Sequence, residues 1–127
     1  MNKIFILLFM IFFHIVDDYY LQGILASMKQ KRWWEKNASQ KEYRNDYKWA
    51  LAMHAFSWSF MIMLPIAYII NFQVNFMFVF AFIANTVIHA LVDNGKANEK
   101  IFNLIEDQSI HMTQILGTFF ILVVLGV

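Results

Sequence analysis

Residues 72–93 read FQVNFMFVFAFIANTVIHALVD. From Phe76 to Val92 only Asn85, Thr86 and His89 interrupt the apolar side chains, and the run closes on Asp93. A helix needs about 20 apolar residues to cross the hydrocarbon core of a bilayer. The stretch therefore predicts a membrane span over about 72–92. His89 and Asp93 stand four residues apart, which puts imidazole and carboxylate on one helix face, one turn from each other. Both groups are costly in hydrocarbon, and residues of this kind inside a span mark functional sites.

The same spacing occurs twice more. His14 and Asp18 close the first apolar run, and Asp107 and His111 open the last. Hydrophobic residues make up 60% of the 127 residues and charged residues 15%, far from the balance of water-soluble domains. The length suits one domain. There is no cysteine, which excludes disulfides, thiolate metal sites and cysteine nucleophiles.

Outward from 72–92, three further apolar runs are expected to span: about 4–22, 49–70 and 107–127. The expected fold is an all-α integral membrane protein, a single domain over 1–127. Its four transmembrane helices form an up-and-down bundle, with an amphipathic cytoplasmic segment over about 27–48. Met1-Asn2-Lys3 followed by an apolar run has the look of a signal peptide. Asp17 and Asp18 fall where a small-residue cleavage site belongs, so the run is read as a retained span.

Basic residues orient the chain. Seven lie between the first two runs (Lys29, Lys31, Arg32, Lys36, Lys41, Arg44 and Lys48), and Lys96 and Lys100 lie between the last two. Only Lys3 falls on the other side. The positive-inside rule then puts both charged loops in the cytoplasm and both termini outside, in an inner or plasma membrane. Trp33 and Trp34 beside Lys31 and Arg32 suit the headgroup level, and attraction to anionic lipid explains the basic segment more simply than nucleic acid does.

With this topology the ends of spans one and three and the starts of spans two and four lie at one membrane face. His14, His54, His89 and His111 converge there, together with Asp17, Asp18, Asp93 and Asp107. Imidazole and carboxylate without thiolate suit zinc, manganese or ferrous iron. Facing helices of a four-helix bundle are where carboxylate metal centres are built. The expected ligands to one or two divalent ions are His14, Asp18, His54, His89, Asp93, Asp107 and His111, with some aspartates free to orient histidines instead. Asp17, Gln22, Lys96 and Gln108 are expected to assist catalysis or bind substrate. Lys29, Lys31 and Lys96 are candidates to hold an anionic headgroup or phosphate, although simple snorkelling explains any one lysine.

The motifs carry a resemblance. His14-Ile15-Val16-Asp17-Asp18-Tyr19-Tyr20-Leu21-Gln22 resembles the H-x3-D-[FY]-x-L-Q opening of a family of small bacterial and phage membrane proteins of unknown function. His54 is similar to that family's lone histidine early in the second span. His89 to Lys96 resembles its H-x3-D-x2-K element, and Asp107 to His111 its D-Q-x2-H element. The likeness covers most of the chain in order and only loosely the basic segment 30–47. It implies a helical membrane fold and no established reaction.

Two functions are expected from different classes. One is a metal-dependent hydrolase acting on an ester or phosphoester at the cytoplasmic leaflet, with an anionic headgroup or a small phosphorylated molecule as substrate. The other is a non-enzymatic His/Asp network in an ion or proton transporter or a regulatory membrane protein. A bis-histidine haem would leave the aspartates without a role. Lipids are the expected partners, and four spans make a bundle thin enough to leave room for homo-oligomers.

Overall fold

Every long apolar run becomes helix. The structure, a computed structural model, describes residues 1–126. Helix α1 spans Lys3–Ile15, with the Asn2 side chain accepting from the Ile4 N–H at 2.8 Å. It widens into a π-type turn over Val16–Leu21. Two short helices follow, α2 (Leu25–Met28) and α3 (Lys31–Asn37), and then a 3₁₀ turn at Lys41–Tyr43. Helix α4 runs over Asp46–Ile69 and α5 over Phe76–Asn94, extended by a second π-type turn at Gly95–Glu99. Helix α6 covers Leu104–Phe119 and widens again over Phe120–Val124.

Helices α1, α4, α5 and α6 pack side by side in that order, and α6 closes back on α1. Helix α4 is central. It is apolar on every face, as a helix enclosed on most sides must be, and buries residues along its length from Tyr47 to Ala67. One end of the bundle has a core of Ile6, Met10, Ile62, Met63, Ile66 and Val123, with Trp58 and Ile115 nearer the middle. The outer faces are also apolar. Phe5, Leu8 and Phe12 of α1 and Phe76, Phe80, Ile83, Val87 and Leu91 of α5 are exposed at intervals of three and four. Apolar surface this continuous is rare on a monomeric water-soluble protein.

The expectation of four transmembrane helices is overturned. Among the described residues three segments are long and apolar enough to cross a membrane: Lys3–Leu21, Lys41–Ile69 and Phe76–Glu99. The segment expected over 107–127 is helical as far as Val124; Val127 lies outside the described residues. Its first turns carry Glu106, Asp107, Gln108, Ser109, His111, Thr113 and Gln114, too much polarity for a span of this length. The helix also starts earlier than its hydropathy indicates. Asn103 accepts from the Glu106 N–H and Glu106 accepts from the Asn103 N–H, a capping box that fixes the first turn just before Asp107.

The basic segment forms no single amphipathic helix but the two short ones, folded against the end of the bundle. Asn98, in the turn after α5, anchors them: it donates to the Lys29 carbonyl at 2.9 Å and accepts from the Lys31 N–H at 2.7 Å. Trp34 donates to the Met28 carbonyl. Lys29 is thereby held over the mouth of the bundle.

Candidate metal centre

Four helices each deliver an imidazole to one layer: His14 from α1, His54 from α4, His89 from α5 and His111 from α6. All four are at most 2% exposed. The π-type turn after α1 matters for the acids. A π turn carries more residues per turn than an α turn, and Asp17 and Asp18 both face inward from it. Asp17 accepts from Ser57 Oγ at 2.6 Å and lies 3.6 Å from His54 Nδ1. Asp18 Oδ1 lies 3.1 Å from His54 Nε2 and 3.8 Å from His89 Nε2.

The same-helix pairs are not the closest contacts. His14–Asp18 stands at 3.7 Å, His89–Asp93 at 3.6 Å and His111–Asp107 at 3.3 Å. Several contacts across helices are as short or shorter, although Asp18–His89 stands at 3.8 Å. Asp93 Oδ1 is 3.3 Å from His111 Nε2, and its Oδ2 is 3.5 Å from His54 Nε2. Asp18, His54 and His89 bring ligand-type atoms within 4.8 Å of one another, and so do His89, Asp93 and His111. These two buried trios share His89 and are able to coordinate a divalent metal. The His89 ring is nearly parallel to those of Trp58 and His111, at centroid distances of 4.2 and 4.0 Å, and those two rings are themselves 5.4 Å apart. Neither ring nitrogen of His89 has a hydrogen-bond partner.

The surrounding groups fix tautomers. Trp58 Nε1, which can only donate, gives its proton to His14 Nδ1 at 2.8 Å. His14 Nε2 then donates to Gln108 Oε1 at 3.0 Å. The Gln108 amide is left to donate to Asp18 Oδ2 at 3.2 Å and Asp107 Oδ2 at 3.0 Å. Both aspartates are gripped by one oxygen and present the other to the histidines. On the opposite side Gln114 Nε2 donates to the carbonyl and side-chain oxygens of Asn85, each at 3.1 Å, so its own oxygen accepts from His111 Nδ1 at 3.2 Å. That leaves His111 Nε2 toward Asp93 and Asp107. Asn85 donates onward to Thr118 at 2.7 Å, where the polar ladder ends against the apolar core.

Two lysines meet the acids from outside. Lys29 Nζ donates to Asp93 Oδ2 at 2.8 Å, and Lys96 Nζ lies 3.4 Å from Asp107 Oδ2. Between them is a polar recess of about 40 Å³, lined by residues that include Asp18, Gln22, Asp93, Asp107 and Gln108. It has room for an ion or a water, since one water needs about 10–15 Å³.

Of the expected ligands, six enter or adjoin the two trios. His14 is beside them, with both ring nitrogens engaged by Trp58 and Gln108. Gln22 donates to the Asp18 carbonyl, and its buried oxygen has no partner. Lys31 turns away and lies 5.1 Å over the Tyr47 ring. Sequence reasoning missed Ser57, Trp58, Gln114 and Thr118 and gave Asn85 no part in the site. A signal for them exists in helical spacing: Ser57 and Trp58 stand three and four after His54, Gln114 three after His111, and Asn85 four before His89. Compared with protein-family models, curated proteins and solved structures, the chain finds no match.

Proposed function

We propose that the protein is a membrane-embedded metal-binding protein whose buried His/Asp layer holds a divalent transition metal in a non-enzymatic network. The observation that carries this reading is His89. It is fully buried, neither of its nitrogens is hydrogen-bonded, and its Nε2 faces two carboxylates. An unpartnered buried imidazole is expensive, and a bound ion is one of the few explanations for it. Spacing supports the same reading. Most nitrogen–oxygen separations in the layer are 3.3–3.8 Å, long for hydrogen bonds. Ligands about 2.0–2.2 Å from a common ion lie roughly 3–4 Å from each other.

The tightness of the layer favours holding an ion over processing a substrate. The recess of about 40 Å³ admits no ester of ordinary size. The polar ladder from His111 ends at Thr118, and Ile6, Met10, Ile62 and Ile66 fill the bundle beyond, which speaks against a continuous proton path through one subunit. The membrane reading rests on the three long apolar helices and on their exposed apolar faces. The distribution of lysine and arginine favours a cytoplasmic position for the charged segment between α1 and α4 and for the metal layer beside it. The three ordered His/Asp motifs fit the family of small membrane proteins they resemble.

Hydrolysis of a phosphoester is a second reading. One observation favours it: Lys29 and Lys96 flank the recess, where an oxyanion would replace their contacts to Asp93 and Asp107.

Elemental analysis of gently purified protein tests the main reading. Transition metal in at least equal amount to protein is expected, with His89→Ala losing it while helicity is retained. Metal-free wild type that stays metal-free after incubation with Zn²⁺ would overturn it. Phosphatase or esterase turnover by the metal-loaded protein, lost in Lys96→Ala, would replace it with the second reading.

A further inference from the structure

We propose that α2, together with Lys29, is a lid over the metal layer, latched by the Lys29–Asp93 ion pair and by Asn98, and that an ion enters and leaves when this lid swings about Gly23. The inference rests on the metal-binding reading and adds the regulation of that site. Its basis is where Lys29 stands. The Nζ atom donates to Asp93 Oδ2 at 2.8 Å, and the same oxygen faces His54 Nε2 at 3.5 Å and His89 Nε2 at 3.6 Å. The lysine side chain also lines the polar recess, with Asp18, Asp107 and Gln108. An ion approaching the layer through that recess passes beside the ammonium group. The two repel each other, more strongly where little water intervenes. Little does: the Lys29 side chain is 12% exposed and that of Asp93 5%.

The segment that carries Lys29 is lightly held elsewhere. Neither α2 nor α3 buries a residue. Beside α2 a partly open space of about 530 Å³ is lined by residues that include Leu25, Met28, Trp34, Trp49 and Met53. Segments with few buried apolar contacts open at low cost. Just before α2, Gly23 takes a left-handed φ of +54°. Beyond its chain neighbours, the nearest atom to where a Cβ would stand is the Leu21 carbonyl oxygen at 4.0 Å. Glycine changes backbone conformation there without steric cost, as a hinge must. The other end of the lid is clasped. Asn98 Nδ2 donates to the Lys29 carbonyl at 2.9 Å and to Asn94 Oδ1 at 2.8 Å, and Asn98 Oδ1 accepts from the Lys31 N–H at 2.7 Å. Asn94 follows Asp93 in the chain, so both fastenings are at the end of α5. One is ionic and touches the ligand set. The other is neutral and lies outside it, so the two can be cut separately.

Stopped-flow measurement of Zn²⁺ loading, and of Zn²⁺ release to a fluorescent chelator, tests the lid on the full-length chain in detergent. Lys29→Met removes the charge-assisted bond and is expected to speed loading and release alike by about 10–100-fold. Asn98→Ala keeps the Lys29 charge and is expected to speed both by about 3–10-fold, as the loss of neutral hydrogen bonds allows. The amount of Zn²⁺ bound per chain is expected to match the wild type in both. Faster loading with slower release in Lys29→Met would overturn the lid, because Lys29 would then be a competing charge and not a barrier. Zn²⁺ lost altogether from a folded Lys29→Met would overturn it by making Lys29 a support of the ligand set. Unchanged rates in Asn98→Ala would overturn it too. In each of these cases Zn²⁺ on the wild type leaves the metal-binding reading standing, whereas no Zn²⁺ in any form removes that reading itself. Circular dichroism separates a lost ion from a lost fold, and Asn98→Ala carries the test if Lys29→Met does not fold.

Discussion

The two ends of the bundle are built from the same helices and differ in what they leave unsatisfied. At one end Ile6, Met10, Ile62, Ile66 and Val123 pack with no polar atom among them. At the other, four histidines and three aspartates are buried, with Asp18 half-buried beside them, at a density no stability argument favours. Burying unpaired polar groups destabilises, and Asp17, His89 and Asp107 each keep a buried atom without a hydrogen bond. The apolar end holds the helices together, and the polar end uses that rigidity to hold chemistry in place. Trp58 belongs to both. Its ring is fully buried in the core, its indole N–H fixes the His14 tautomer, and its face covers His89.

Trp58 is therefore where the contrast should break most completely. Trp58→Ala is expected to cost about 3–5 kcal/mol of stability as a large-to-small core change and to lower Zn²⁺ affinity as well. Thermal unfolding in detergent and Zn²⁺ titration would measure the two losses. Retained metal affinity would mean that the ends are independent. Ile62→Ala sharpens the contrast from the other side. It should cost about 2–5 kcal/mol and leave Zn²⁺ stoichiometry unchanged.

Gln108→Leu probes the polar end alone. It removes the amide that grips Asp18 and Asp107, and outer-shell losses of this kind weaken metal by about 10–100-fold. Isothermal titration would read that change, with the apolar end's unfolding little altered. The smallest expected effect is at the start of α6. Asn103→Ala removes the capping box and should cost about 1 kcal/mol, read as a lowered unfolding midpoint. A large drop in metal affinity there would show that the first turn of α6, more than Gln108, sets the position of Asp107.

Much of the polar end was legible in the sequence. The i, i+4 pairs at His14, His89 and Asp107 state which residues share a helix face, because helical periodicity is local. They do not state which residues touch. His14 and Asp18 are 3.7 Å apart, while His14 bonds to Trp58 and Gln108, and Asp18 approaches His54. The π-type turn over Val16–Leu21 also escapes pattern reading, since it turns Asp17 inward beside Asp18 through backbone hydrogen bonds that hydropathy does not encode. The fourth span failed for a related reason. A window of hydropathy weighs the apolar residues from Ile115 onward, whereas the helix begins at Leu104 with its polar turns, where the capping box starts it.

By itself the sequence determined the helical class, the long apolar runs and the histidines and aspartates from which the two trios are drawn. These follow from composition and periodicity, which act over a few turns of chain. Only the tertiary structure decided that Asp93 lies across two stacked imidazoles, that His14 is held by Trp58 and Gln108, and that Lys29 reaches Asp93 from 64 residues away. Those relations depend on how helices rotate and settle against one another, and packing sets that rotation through the whole core at once.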